Sequence, residues 1–270
     1  MRILGAILLL CVLCGAQLKG FADDKTPAGQ VIASQGSAKA VGPDNASRDL
    51  KRGASVFPKD KIIVDADSKV QIKFSDGGLI NLIAITEYLI DSYSFKDASQ
   101  SDVSSTTLVK GGFRMLSGTI AKENPSSHTV KTPVATIGLR GTTFAVNFVS
   151  GKVFVACSSG QVECKNSLGS VVIGAGAGNA YASVGANTAP VALAQMPAAL
   201  APSQFAAPPG GQSIEAAEAA QSAAGTQGTP PSPNVSPTAP AAQQAAPPPV
   251  NEALPSLEIE VGSNEGCVGS

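Results

Sequence analysis

The 270-residue chain contains a single histidine, His128, and that scarcity removes much chemistry at once. A zinc centre takes several His and Cys ligands at regular spacing, and a Ser-His-Asp or Cys-His hydrolase pairs its histidine with a nucleophile motif. Neither pattern accompanies His128, which follows Asn124-Pro125-Ser126-Ser127 at the start of a strand-like run. Charge is scarce as well. Charged residues make up 14% of the chain, 19 basic against 20 acidic, which excludes a broad polycationic surface for nucleic acid. Five cysteines are too few for a disulfide framework. A glycine-rich stretch, Gly174-Ala175-Gly176-Ala177-Gly178, has Asn179 where a phosphate loop would place its third glycine, and no helical pattern follows, so it reads as tight turns. No catalytic residue, metal ligand or cofactor site is expected.

What is present begins with a leader. Met1-Arg2 precedes the apolar run from Ile3 to Ala16, and Gly20-Phe21-Ala22 offers a small-x-small cleavage site before Asp23-Asp24. The alternative, an uncleaved anchor, needs ~20 apolar residues, more than this run supplies. Residues 1–22 are therefore read as a signal peptide. Large residues before Cys14 and Cys11 argue against lipoprotein processing. Cleavage leaves a mildly acidic chain with Cys157, Cys164 and Cys267 and no later segment apolar enough to span a bilayer.

From about residue 28 to residue 188 the text is short alternating runs punctuated by Gly, Asp, Asn and Ser, the signature of many short strands. Val70, Ile72 and Phe74 alternate with Lys69, Gln71 and Lys73, then Ser75-Asp76-Gly77-Gly78 turns the chain into Leu79-Ile80-Asn81-Leu82-Ile83. This predicts a hairpin with one face in water. A second hairpin follows from Phe144 to Phe148, Ser150-Gly151, and Val153 to Cys157. No stretch shows a 3.6-residue stripe of helical length, so the domain is all-β. Periodicity leaves two architectures open, a β-solenoid of stacked turns or a twisted two-sheet domain. The Ser/Asp-rich stretch from Ala98 to Thr106 reads as a surface excursion.

Every Lys and Arg lies at or before Lys165, and from Ala189 to Pro255 the chain turns to Ala, Pro, Gln and Ser, with most of the 19 prolines. Such composition cannot offset its ordering entropy, which predicts a disordered linker over residues 189–255. Ile214 to Ala224 alone has the Ala and Glu content of a transient helix. The last segment, residues 256–270, regains alternation in Leu257-Glu258-Ile259-Glu260-Val261, a candidate strand.

The stretch Val130-Lys131-Thr132-Pro133-Val134-Ala135-Thr136-Ile137-Gly138-Leu139-Arg140-Gly141-Thr142-Thr143-Phe144 resembles the most recognisable signature of FecR domains, Arg-Gly-Thr followed by a strand. Further matches stand in the family's order: Phe74-Ser75-Asp76-Gly77, then Gly111-Gly112-Phe113-Arg114 leading to Leu116-Ser117-Gly118, then Ser159-Gly160-Gln161-Val162. The resemblance covers roughly residues 28 to 184. It implies an extracytoplasmic, solenoid-like β-structure used in envelope signalling or protein binding. The best-known members relay from an outer-membrane transporter to a cytoplasmic sigma factor through a membrane helix that precedes the domain. Here a signal peptide opens directly onto the domain, which puts that relay in doubt.

The motif residues Asp76, Gly77, Gly118, Arg140, Gly141 and Thr142 are expected to be structural: Asp76-Gly77 as turn chemistry, Gly141 at an unusual backbone angle, and Arg140 paired to a carboxylate or capping carbonyls. Arg140 as a ligand contact is the sharper alternative. Cys157 and Cys164 flank a turn; a Gly160-Gln161 loop sets them opposite each other for a disulfide, and a Ser158-Ser159-Gly160 loop puts them on opposite faces. The whole reads as a non-enzymatic protein of the bacterial envelope, periplasmic or released, whose β-domain binds an envelope protein or a cell-wall polymer. The alternative is a structural or surface-display protein acting through its Ala/Pro tail and terminal strand.

Overall fold

The structure, a computed structural model, describes residues 26–225; the expected leader, the linker beyond residue 225 and the terminal segment lie outside the described residues. In chain order the strands are β1 (Gly29–Gln35), β2 (Ala38–Val41), β3 (Ser47–Asp49), β4 (Ser55–Val56), β5 (Lys61–Val64), β6 (Lys69–Phe74), β7 (Leu79–Leu82), β8 (Thr86–Ser94) and β9 (Val103–Leu116). A short helix α1 (Thr119–Glu123) leads to β10 (His128–Lys131), β11 (Thr136–Val149), β12 (Lys152–Asn166), β13 (Gly169–Gly174), β14 (Tyr181–Gly185) and β15 (Val191–Leu193), and the helix α2 (Ile214–Gly225) follows. No helix among the described residues is long and apolar enough to cross a membrane.

Backbone hydrogen bonds join all 15 strands into one sheet, antiparallel everywhere except between β9 and β10. Three strands are long, β9 and β11 with 14 residues and β12 with 15, and each holds a glycine at positive φ: Gly111 at 75°, Gly141 at 56° and Gly160 at 73°. L-residues with a Cβ are disfavoured there, so glycine lets the strand turn. Strand partners change at the same points. Residues 103–110 of β9 pair with β8, and residues 113–116 pair with β7. In β11, residues 136–138 pair with β10 and residues 143–148 with the second half of β9. In β12, residues 152–156 pair with β14 and residues 161–166 with β13.

The sheet therefore divides into two layers sharing three bent strands. The first runs β4, β1, β6, β7, the second halves of β9 and β11, the first half of β12, β14 and β15. The second runs β3, β2, β5, β8, the first half of β9, β10, the first half of β11, the second half of β12 and β13. Ile72, Ile80 and Val146 of the first layer and Ile62, Leu108 and Ile137 of the second belong to one buried cluster. Phe113 bridges the layers, edge-on to Tyr88 at 5.5 Å and to Phe144 at 5.6 Å. This is the twisted two-sheet arrangement; stacked turns of a solenoid would pair strands in parallel.

Both expected hairpins form. Ser150 and Gly151 sit at φ 52° and 73°, the two-residue turn whose twist suits a hairpin, and Phe148 pairs with Val153 beside it. The expected excursion is shorter than Ala98 to Thr106, because β9 starts at Val103; the Asp102 carboxylate closes the loop by accepting the Lys96 and Ser99 amides at 2.7 and 2.8 Å.

The β6–β7 hairpin departs from expectation on its outer face, which is covered rather than wet. The cover is the segment expected to open the disordered linker, and the correction applies to residues 189–225. Two short 3-10 turns, Ala198–Leu200 and Pro202–Phe205, and α2 lie along the first layer. Leu200 and Phe205 bury against Ala145, Phe154 and Tyr181, and Ile214 and Ala217 against Leu79 and Leu116. Polar side chains of the sheet bind the strap's backbone: Gln71 Nε2 donates to Gln212 O at 2.6 Å, Asn81 Nδ2 to Phe205 O at 3.1 Å and Asn147 Nδ2 to Ala199 O at 2.8 Å, while Gln71 Oε1 accepts the Gln212 amide at 2.7 Å. Arg114 and Glu215 add an ion pair at 2.6 Å. Composition averages out four well-spaced apolar anchors; position does not.

A chain ending at Gly225 should match the full chain in urea denaturation. One ending at Thr188 uncovers Leu79, Leu116 and the buried amides, and should lose on the order of 3 kcal/mol, because each large anchor is worth about 2 kcal/mol before its ordering cost.

Candidate functional site

The motif residues converge on one corner. Asp76 sits in the β6–β7 turn, its Oδ1 accepting the Gly78 amide at 3.0 Å and its Oδ2 the Ile120 amide at 3.4 Å. Its carbonyl takes the Thr119 amide at 2.9 Å, which pins the start of α1 to the turn. Tyr93 of the second layer accepts the Asp76 amide at 2.9 Å, so the corner ties both layers together. Burial pushes the Asp76 carboxyl above the usual carboxylate range, opposed by its hydrogen bonds to Gly78, Tyr93 and Ile120. Gly118 is required by space: a Cβ there would lie 2.3 Å from the Asp76 carboxylate. Gly77 supplies the positive φ of the turn, 84°.

The Arg-Gly-Thr step is the bend of β11. Thr142 and Ser117 lock the bend to the end of β9: the Ser117 amide and Oγ both donate to Thr142 O at 2.9 Å, and the Thr142 amide donates to Ser117 Oγ at 2.7 Å. Gly160 of β12 lies so close that a Cβ would meet Gly141 O at 2.5 Å. Asp76, Gly77, Gly118, Gly141 and Thr142 are thus brought together as scaffold. Tyr93 and Ser117 complete the corner; Ser117 stands within a quoted motif, whereas nothing in the sequence ties Tyr93 to Asp76.

Arg140 differs from the expected carboxylate pairing or carbonyl capping. Its side chain is exposed and forms no ion pair or hydrogen bond with any described residue. It borders a hollow of about 350 Å³ on the outer face of the second layer, with Thr129, Gly138, Gln161, Glu163 and Val172. The register explains the hollow. Thr129, Gly138, Glu163 and Val172 lie in one row across four strands, and Arg140 pairs with Gln161 in the next. Gly138 leaves the floor open, since a Cβ there would meet nothing within 4 Å. A cation, an anion, two neutral polar groups and exposed strand surface suit a polar, extended ligand rather than an apolar one.

Cys157 and Cys164 do not flank a hairpin. Both lie on β12, which continues through a bend where a turn was expected, and both are free thiols. Burial raises the Cys157 thiol to about 11 and the Cys164 thiol to about 12, so both stay protonated and unreactive at neutral pH. The Gly174–Gly178 stretch forms turns, with Gly174, Gly176 and Gly178 all at positive φ. Among the described residues no group of three or more His, Cys, Asp or Glu side chains is placed to hold a metal ion.

The profile of the FecR protein family matches residues 60–163, from just before β5 into the second half of β12. This stretch is similar to FecR domains. The match takes in Asp76, Gly118 and the Arg140-Gly141-Thr142 bend, so the corner lies within it, as does the hollow except for Val172. Two crystal structures of a candidate anti-sigma factor from Parabacteroides distasonis are similar to the chain at 18% identity and a TM-score of 0.39, over 48% of this chain and 57% of that one. The matched part thus spans little more than half the length of that protein. No curated protein matches the sequence.

His128 is buried in the second layer beside Ser104, with neither ring nitrogen hydrogen-bonded, and burial lowers its pKa to about 4. The unfolded chain, near 6.5, binds a proton that the folded chain refuses, so this contribution is complete above pH 6.5 and is lost as pH falls toward 4. Replacing His128 with Phe should flatten the acid limb of a urea-derived stability-versus-pH profile relative to wild type by up to about 3 kcal/mol, while Gly118→Ala should cost on the order of 2–4 kcal/mol at every pH.

Proposed function

We propose that the protein is an exported, non-enzymatic component of the bacterial envelope whose FecR domain binds another protein in a signalling role, through the open face around Arg140. The carrying observation is the contrast between the two outer faces. The first layer's is covered by residues 198–217, whereas the second layer's is polar and open, with an arginine that has no partner among the described residues on a locked bend. A guanidinium held on rigid backbone loses little entropy on binding and engages carboxylates through two parallel hydrogen bonds. The leader sequence supports export. The reading in which the Ala/Pro tail does the contacting begins only after residue 225, since the first part of that tail is fixed to the sheet.

Arg140 supports no described neighbour, so Arg140→Ala should leave urea stability within about 0.5 kcal/mol of wild type. In the native envelope, a photo-crosslinking residue at Gln161 should trap one protein partner. Arg140→Ala should cut that adduct by roughly tenfold or more, as loss of an interface hot spot does, and a chain ending at Gly225 should retain it. Equal adducts from Gln161 and from Gln30 in the first layer, or an adduct indifferent to Arg140→Ala, would sink the reading.

A further inference from the structure

Sheet edges are usually guarded by charge, proline or brevity, because an open edge templates pairing with another chain. β3 is 3 residues long and carries Arg48 and Asp49, β4 has 2 residues, and β15 has 3 and follows Pro190. The fourth edge among the described residues, β13, is bonded there only to β12 and reads Gly169-Ser170-Val171-Val172-Ile173-Gly174, with no charge and no proline. Ser170 and Val172 are exposed, Val172 at 44%, and Leu168 at the hairpin tip is 56% exposed.

The outward groups of this strand follow from its register. Asn166 pairs with Gly169 across the Ser167-Leu168 turn, so Gly169, Val171 and Ile173 exchange hydrogen bonds with β12 while Ser170, Val172 and Gly174 point away. The Gly174 amide confirms the alternation by donating outward to Asn179 O at 2.8 Å. The outward amides and carbonyls of Ser170 and Val172 have no backbone partner among the described residues.

We propose that this edge pairs with the same edge of a second copy of the chain, antiparallel about a two-fold axis through Val171. Ser170 then faces Val172 of the second copy, and the reverse, giving about four backbone hydrogen bonds. Charge favours this register weakly, across three interstrand spacings or about 14 Å. On β12, Glu163 stands beside Val172 and Lys165 beside Ser170, both on the outer face. Across the axis each Glu163 therefore looks over two small side chains toward Lys165 of the second copy. A shift that placed Val172 against Val172 would set Glu163 against Glu163, and the opposite shift would set Lys165 against Lys165. On the inner face Val171 meets Val171. A single edge buries less than the ~1,000 Å² of a stable interface, so the dimer is a weak, micromolar one.

The test uses the mature chain with Cys267→Ser. Val171→Cys occupies the close, non-hydrogen-bonded position on the axis, where Cβ atoms approach within disulfide range, and should oxidise to a covalent dimer at ~100 μM, whereas Ser170→Cys should not. Sedimentation of the wild type over the same concentrations should show reversible dimer. Lys165→Glu should weaken it at low salt, and Lys165→Glu with Glu163→Lys should restore it without altering the fold. Val172→Pro removes only an outward amide and should also give monomer. A wild type that stays monomeric with no Val171→Cys dimer overturns the proposal. So does a dimer that survives Val172→Pro.

Discussion

The fold rests on three strands that belong to both layers. Strands β9, β11 and β12 carry the sheet from one side of the core to the other, and they do so at Gly111, Gly141 and Gly160. Two of the bends are crowded as well as left-handed: a Cβ at Gly111 would lie 2.5 Å from Thr86 Oγ1, and one at Gly160 would lie 2.5 Å from Gly141 O. Any other residue at these two meets a backbone penalty and a collision together, whereas at Gly141, where a Cβ would find only Lys122 Cγ at 3.6 Å, the backbone penalty acts alone. The Asp76 corner then fixes the angle, because the turn that holds Gly78 and Ile120 also receives Tyr93 from the opposite layer. The family signature is in this light a description of a rigid corner, and Arg140 is the last residue before it: regular alternation with Gly138 sets that side chain on the outer face, and the register shifts only after it.

The strap solves a different problem. The first layer presents Leu79, Leu116 and Phe154 outward alongside Gln71, Asn81 and Asn147, a face too apolar for water and too polar for an ordinary second sheet. An Ala/Pro-rich chain fits it because proline removes amide donors and leaves carbonyl acceptors. The sheet's side-chain amides are the complementary donors, three of them to strap carbonyls, while Gln71 Oε1 serves the Gln212 amide. Satisfying buried amides in this way avoids the 1–3 kcal/mol that each would otherwise cost.

How much of this was legible follows from where each signal resides. The two hairpins were readable because turn residues, Ser75-Asp76-Gly77-Gly78 in one and Ser150-Gly151 in the other, stand between runs of strand-forming residues in the text. The long strands were not, since a bulge resets the period of two and makes one bent strand look like two strands and a turn; Gly160 between Cys157 and Cys164 is the plainest case. The covered face left a fainter mark: Leu79-Ile80-Asn81-Leu82-Ile83 does not alternate, and uncharged amides stand at 71, 81 and 147 where a wet face would carry Lys or Glu. The strap's order was invisible to composition because long-range complementarity decides it.

The contrast between the faces also bears on what kind of protein this is. Tyr88, Phe113, Phe144 and Phe205 are consumed by packing, while Tyr93 and Phe95 line an apolar hollow of about 380 Å³ with Pro27, Pro43 and Pro58. Beside that hollow the open surface includes a flat polar sheet face with a second, shallow hollow, an arginine and one uncharged strand edge. Flat faces and strand edges are surfaces that other polypeptides read, through backbone hydrogen bonds for affinity and a few side chains for selectivity. The structural rigidity of the corner matters for that use: recognition by so few exposed groups succeeds only when their positions are fixed before the partner arrives.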